Sequence, residues 1–473
     1  MTSTTLPLYA AIASVVGLCA LLGLVGADAR WLAALGRFIV AHGVPHSIPF
    51  ASAPAVHWHD VTALGQLTFW ALDSVAGDRG LMLAQLTAVA IACVLLARDA
   101  RAAGASPRTA SSALLLAALG AAPTLAVARA QLFSIALFPL LLMLLRAEAR
   151  SPSRRIWLLV PLIGLWSNLH GGVLAGVGVA VVYLLLGRLS GRPRETVALL
   201  PLLAVALCAN PGGVHALAYY HGVLSNQAAA RGEGMWGPIS LTSPFDLLLV
   251  LCAALLGLKA RRARLALWEV GTILLLAGLT LEASRSGVWL VFMLVTPAAL
   301  GTRPARASGL GRIGAVGAGV AIAAGVAGMI RGPLPDGASA PLLVKAIALA
   351  GRTPILASDI PAEQVALAGG RVWASDPIDA FESQTQLTYL EWADGSERAL
   401  SAVGRSVRVV LVSRGSPAAT LMSKASGFAL AARDGRTALY VRTGASRPQA
   451  AATEAARAAV GRAAPAGAAA PAS

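Results

Sequence analysis

About eleven apolar runs, most of them bounded by short clusters of arginine, leave this chain few ways to fold. They lie at about Leu6 to Val25, Leu81 to Ala97, Ala110 to Val127, Leu132 to Leu145, Ile156 to Trp166, Val173 to Leu186, Thr196 to Ala209, Phe245 to Leu258, Leu267 to Leu281, Val288 to Leu300 and Ile313 to Ile330. In lipid every backbone N–H and C=O must be paired within the chain, so runs of this kind become helices. Several are shorter than the roughly 20 residues of a full crossing. The 473 residues are 57% hydrophobic and 13% charged, with mean hydropathy +0.70. An ordinary soluble protein carries roughly twice that charged fraction, so the expectation is an integral membrane protein. The first run has no basic flank of the leader type and is read as a membrane helix.

A formal net charge of +16 raises the question of nucleic acid, but the basic residues sit in alternate short loops. The loops near 98–108, 146–155, 188–194, 259–264 and 302–312 hold about 17 Lys and Arg, and the opposite, longer set about 6. Lys- and Arg-rich loops stay in the cytoplasm. This predicts a multi-pass protein of the inner (plasma) membrane with a cytoplasmic amino terminus and no nucleic-acid partner. The 27–80 loop and everything after Arg331 then lie outside. Cys19, Cys93, Cys208 and Cys252 lie in or beside apolar runs, far apart in sequence, and read as small buried hydrophobes.

The predicted organisation is an all-α polytopic membrane domain over 1–330, including the outer loop 27–80, then a linker over 331–338. A small α/β extracytoplasmic domain over 339–443 and an Ala- and Pro-rich disordered tail over 444–473 follow. In the outer loop, Asp28 to His42 reads as an amphipathic helix with Trp31, Leu35, Phe38 and Ile39 on one face and Arg30 and Arg37 elsewhere. Val61 to Leu72 is a second amphipathic run. Strands are expected at Pro354 to Ser358, Arg371 to Ser375, Val407 to Val412 and Ala438 to Arg442. Helices are expected around Ala362 to Ala368, Ser383 to Leu390 and Pro417 to Lys424. With two prolines and two glycines before it, this domain is expected to fold on its own.

Trp166-Ser-Asn-Leu-His-Gly-Gly172 places Asn168 and His170 between two apolar runs, where lipid tolerates neither. Two readings stand: a pocket whose tight turn Gly171 and Gly172 permit, or polar caps on helix ends at the headgroup level. On the predicted topology Asp28, His57, His59, Asp60, Arg129, Gln131, Asn168, His170, Asn210, Glu233, Glu282 and Arg285 all fall on the outer side. That is the pattern a pocket open to the outer leaflet would produce. Walker, dinucleotide, HExxH and serine-elbow motifs are absent from the sequence.

Several of these pieces together resemble a family of bacterial polytopic membrane proteins related to the GT-C glycosyltransferases, which use polyprenyl-phosphate sugars. The pieces are Asp28 to Pro49 with Gly36-Arg-Phe-Ile-Val-Ala-His-Gly-Val-Pro45, Arg129-Ala-Gln-Leu-Phe-Ser134, Trp166 to Gly172, Asn210-Pro-Gly212, and Arg285 opening a late run. The first loop departs from the family: Arg30-Trp31-Leu32 stands in the place of Trp-Trp-His, and Val61-Thr62-Ala63 in that of His-Glu-Trp. The resemblance implies sugar transfer from a polyprenyl-phosphate donor to an envelope acceptor on the outer face. It implies Asp28, with Asp60, as the carboxylates that take the acceptor proton. Arg129, Gln131, Asn168, His170 and Arg285, with His57 and His59, are the implied donor-binding residues. A divalent ion bridging Asp and phosphate suits this chemistry, and the sequence shows no ligand set for one. The competing expectation is a non-catalytic scaffold or assembly factor of envelope biogenesis with a degenerate site. A transporter is disfavoured because no internal symmetry or midplane ion pair is visible.

Overall fold

A computed structural model describes residues 5–26, 28–56, 58–233, 236–303 and 310–444, with the side chains of 310–316 and Arg405 left aside. His57, the middle of the 302–312 loop, and the tail beyond Gly444 lie outside the described residues. Helices occur at the place of every expected apolar run, from Leu6–Leu22 to Leu310–Arg331. Among the described residues three are long and apolar enough to cross a membrane: Ala63–Ala102, Leu132–Arg150 and Ser284–Gly301.

The chain forms two compact units. The first gathers the described residues up to Leu24 with Met82–Val214 and Arg231–Leu334. Its helices pack through small residues, as helices do where lipid supplies no hydrophobic drive between them. Leu6–Leu22 meets Leu310–Arg331 so closely that a Cβ on Gly17 would lie 2.3 Å from the Ala321 carbonyl oxygen. Gly301 stands likewise against the Lys259 carbonyl. Large apolar side chains such as Val197, Leu274 and Leu281 remain exposed, as a lipid-facing surface requires.

One end of this unit is tied by buried charge. Arg146 donates to Asp99 at 2.6 Å, to Glu269 at 3.1 Å and to the Met293 carbonyl at 2.9 Å, and Thr296 donates to Asp99 at 2.7 Å. Beside it Arg188 joins Glu148 at 3.0 Å and Glu195 at 2.6 Å. Asp99, Arg146, Glu148 and Arg188 belong to the basic loops, and their burial shows that part of that charge is internal and paired.

The second unit gathers Val25–Leu81, His215–Ala230 and the described residues from Pro335. Its sheet runs in the order Ile355–Ala357, Val409–Ser413, Thr437–Arg442, Phe428–Arg433, parallel in the first pair and antiparallel in the others. Val409–Ser413 is apolar and buried along most of its length, as a central strand must be. Arg371 to Ser375, expected as a strand, makes only single bridges, and Phe428–Arg433 is a strand the sequence pattern did not reveal.

The sheet continues beyond Ile355. Ile355 bridges to Val372, and Val372 to Ala51 of the 43–62 loop. Val372 N–H donates to Phe50 O at 2.9 Å, Ala53 N–H to Trp373 O at 2.8 Å and Val56 N–H to Ala380 O at 3.0 Å. The helix Ala29–His42 packs on Asp359–Leu367. So 25–81 groups with 335 onward, whereas the sequence-based division kept it with the membrane helices. The reason is backbone pairing, which leaves no periodic trace in the sequence.

Candidate functional site

In the first unit the turn after Leu159–Ser167 carries His170. Leu132 N–H donates to Arg129 O at 3.0 Å, a turn that starts the helix Leu132–Arg150 and puts Ser134 in its first turn. Ser134 and Trp166 are fully buried. Trp166 Nε1 donates to Ser134 Oγ at 2.7 Å, Ser134 Oγ lies 2.7 Å from His170 Nδ1, and Gly172 N–H donates to the same Nδ1 at 3.0 Å. A Cβ at position 172 would stand 2.6 Å from Ser134 Oγ and 2.7 Å from His170 Nδ1, so this close approach requires glycine. Gly176 makes room for the Trp166 ring, 2.5 Å from where its Cβ would be.

Burial, then the nearby cations Arg285 and Arg129, hold the His170 imidazole down at about 3. Two arginines and a neutral histidine thus share one neighbourhood at the end of the helices opposite to the Arg146 cluster. Along Leu132–Arg150 the twelve steps from Ser134 to Arg146 span about 18 Å. Arg285 also lies against Trp236, its Cζ 3.1 Å from the ring centroid. Gln131 is half-buried just before the helix and makes no side-chain cap there.

Asn168 does the capping work. Its Nδ2 donates to Gly164 O at 2.8 Å and to Ala209 O at 2.6 Å, tying the ends of two helices. Asn210 closes the next turn, donating to Leu207 O and accepting from Gly212 N–H. The two readings of the motif therefore divide between its residues: Asn168 serves helix ends, and His170 sits among cations.

In the second unit Asp28 precedes Ala29–His42 with φ 83, the left-handed region that non-glycine residues rarely enter. Its N–H donates to Glu363 Oε1 at 2.8 Å, and Arg30 N–H to Oε2 at 3.3 Å. Glu363, fully buried on Asp359–Leu367, thus caps the helix from outside it. Burial, then Asp28 and Asp376, push its carboxyl well above the usual range. Asp359 is raised by burial and by Asp28, and Asp379 by burial and Asp28 to about 6.

Arg30, placed by the sequence off the apolar face, is buried. It donates through Nε and Nη2 to both oxygens of Asp78 at 3.0 and 2.9 Å, and through Nη2 to Asp336 at 2.7 Å. Trp31 packs edge-on against Phe50, centroids 4.6 Å apart. A Cβ on Gly36 would fall 2.1 Å from Gln66 O, so the two loop helices cross at that glycine.

Asp60 is 2% exposed. Oδ1 accepts from Gln66 Nε2 at 2.8 Å; Oδ2 has no hydrogen bond of ordinary geometry, although the Thr62 backbone lies near enough to favour its charge. Burial raises this carboxyl to about 7. His59 stacks on His215 with centroids 4.3 Å apart, and Tyr219 lies within electrostatic reach of both Asp60 and Asp379. Groups of three or more His, Cys, Asp or Glu fit to hold a metal ion do not occur among the described residues.

No protein-family model matches the sequence, and no curated protein does. The crystal structure of ArnT from Cupriavidus metallidurans bound to undecaprenyl phosphate matches with a TM-score of 0.54 at 14% identity, over 95% of this chain and 100% of that one. The chain has the ArnT fold. This is the fold that the resemblance implied, and among the described residues it contains helices long and apolar enough to cross a membrane. Sequence reasoning missed Ser134 as the support of His170 in the first unit and Glu363 as the support of Asp28 in the second. Ser134 stood inside a quoted motif, and Glu363 carried no signal beyond being an acid in a helix start.

Proposed function

We propose that this chain is an integral membrane glycosyltransferase-like protein that moves a sugar from a polyprenyl-phosphate donor to an envelope acceptor on the outer face. The observation that carries this reading is His170, held at Nδ1 by Ser134 and the Gly172 amide within electrostatic reach of Arg129 and Arg285, in a chain with the fold of a protein crystallised with undecaprenyl phosphate. Two guanidinium groups and a hydrogen-bond donor suit a lipid phosphate, whose charge grows as the sugar leaves. Asp28, half-buried and held in a strained backbone conformation, is the better candidate base; Asp60 is too deeply buried for an acceptor hydroxyl to reach. The reading keeps the topology of about eleven spans, a cytoplasmic amino terminus and an extracytoplasmic sheet.

Binding of undecaprenyl phosphate to the purified protein in lipid, followed by turnover of a radiolabelled polyprenyl-phosphate sugar, tests it. Arg129→Ala and Arg285→Ala are each expected to weaken binding. Wild-type protein that neither binds the lipid nor turns over the donor would end the enzyme reading.

One observation favours the scaffold alternative: Arg30 and Trp31, standing where the family places Trp-Trp-His, are spent on ion pairs and packing. Lipid binding without transfer to any acceptor would support it.

A further inference from the structure

We propose that Ser134 is a positioning residue: with the Gly172 amide it holds His170 as the neutral tautomer protonated on Nε2, so that His170 meets a polyprenyl phosphate as an uncharged hydrogen-bond donor. The inference rests on the phosphate-binding reading above and specifies how one residue of that site works.

The tautomer follows from counting donors. Gly172 N–H and Trp166 Nε1–H can only donate. Gly172 N–H points to His170 Nδ1, so Nδ1 must accept and carries no proton. With Nδ1 bare, Ser134 can only donate its hydroxyl proton to it at 2.7 Å, sharing the one Nδ1 lone pair with Gly172 N–H, while Trp166 Nε1–H occupies a lone pair of Ser134 Oγ. A neutral imidazole with a bare Nδ1 has its proton on Nε2. An imidazolium would set an N–H at Nδ1 against the Gly172 N–H. Among the described residues Nε2 makes no hydrogen bond, and His170 as a residue keeps part of its surface open.

The arrangement is rigid. Trp166 and Ser134 are fully buried, and Gly172 and Gly176 stand where any Cβ would displace the Ser134, His170 or Trp166 side chains. Its use is chemical. Arg129 and Arg285 already supply charge, and a third cation beside them would be repelled. A neutral Nε2–H adds direction to the phosphate contact without charge, and it does not switch off as pH changes near neutrality.

The experiment uses the full chain in lipid nanodiscs with 15N-labelled histidine. His170→Gln identifies the resonance, and undecaprenyl phosphate is the probe. The expected wild-type spectrum is the neutral Nε2–H form, unchanged from about pH 5 to 8 and shifted by the lipid. Ser134→Ala leaves the Gly172 amide as the one donor to Nδ1 and is expected to keep the Nε2–H form on a more loosely held ring, with a roughly 5- to 10-fold weaker affinity, the scale of one lost hydrogen bond. Ser134→Thr keeps the hydroxyl and is expected to retain the wild-type affinity. An Nδ1–H or imidazolium spectrum in the wild type overturns the inference, and decides the matter even if Ser134→Ala does not fold. Wild-type binding with unchanged affinity in a folded Ser134→Ala also overturns it, leaving the phosphate reading intact. Failure of the wild type to bind the lipid sinks that reading and the role of His170 together.

Discussion

Glu363 accepts the backbone N–H of Asp28 at 2.8 Å across 335 positions of sequence. The contact sets the start of Ala29–His42 and the strained turn at the candidate base at once. Glu363→Ala takes the acceptor from the half-buried N–H of Asp28 and the buried N–H of Arg30, so a loss of about 1–3 kcal/mol is expected in thermal or denaturant melts. Glu363→Gln keeps one acceptor oxygen and should lose less. Equal stability of the alanine variant would show the cap to be dispensable.

The Arg30 guanidinium is shared by two carboxylates, and breaking one side of such a buried set leaves charge without a partner. Arg30→Ala is expected to cost about 3 kcal/mol or more, somewhat moderated by the partial exposure of Asp78. Arg30→Lys cannot reproduce the forked contact and should recover little. Chemical denaturation of both variants decides whether the fork or the charge matters.

Asp60 gives a pH signature. Its folded value of about 7 lies above the ordinary 3.8, so the folded protein holds a proton that the unfolded chain has released. Its contribution to stability is full below about pH 4 and drains away as pH rises toward 7. Asp60→Asn keeps the Gln66 contact and removes the buried charge. The variant is therefore expected to melt higher than wild type at pH 8, with the gap closing by pH 4. A gap independent of pH would refute the assignment.

His170 has the opposite sign. Its folded value of about 3 lies below the ordinary 6.5, so its contribution is present above pH 6.5 and is lost as pH falls toward 3. His170→Gln should flatten the acid limb of the melting profile over that window. An unchanged limb would show that the ring is free to charge in the folded protein.

If the protein transfers sugar, Asp28→Asn removes the base at constant size. Turnover is expected to fall roughly 100- to 10,000-fold with little change in donor binding. Full activity in this variant would end the catalytic claim for Asp28.

The sheet bears on where the chain can be cut. Residues 335–444 alone leave Val372 without Phe50 and Ala51, and Glu363 without the helix it caps. The fragment is expected to aggregate or melt without cooperativity, contrary to the independent folding that its composition and linker suggested. A sharp reversible melt followed by circular dichroism would restore the simpler division.

The sequence alone determined the helices, because runs from Leu6 to Ile330 have too little polar content to be anything else where backbone groups must pair internally. It also marked the central strand through Val409 to Val412 and the motif around His170, since apolar periodicity and misplaced polar residues are local signals. Tertiary structure alone decided which polar residues meet: Asn168 with helix ends, His170 with Ser134, Asp28 with Glu363, Arg30 with Asp78 and Asp336. It also decided that Phe50 to Ala53 pairs with the backbone at Val372 and Trp373. Those choices are made by hydrogen bonds and ion pairs between groups far apart in the chain, whose energies depend on distance and burial and leave no period in the order of residues.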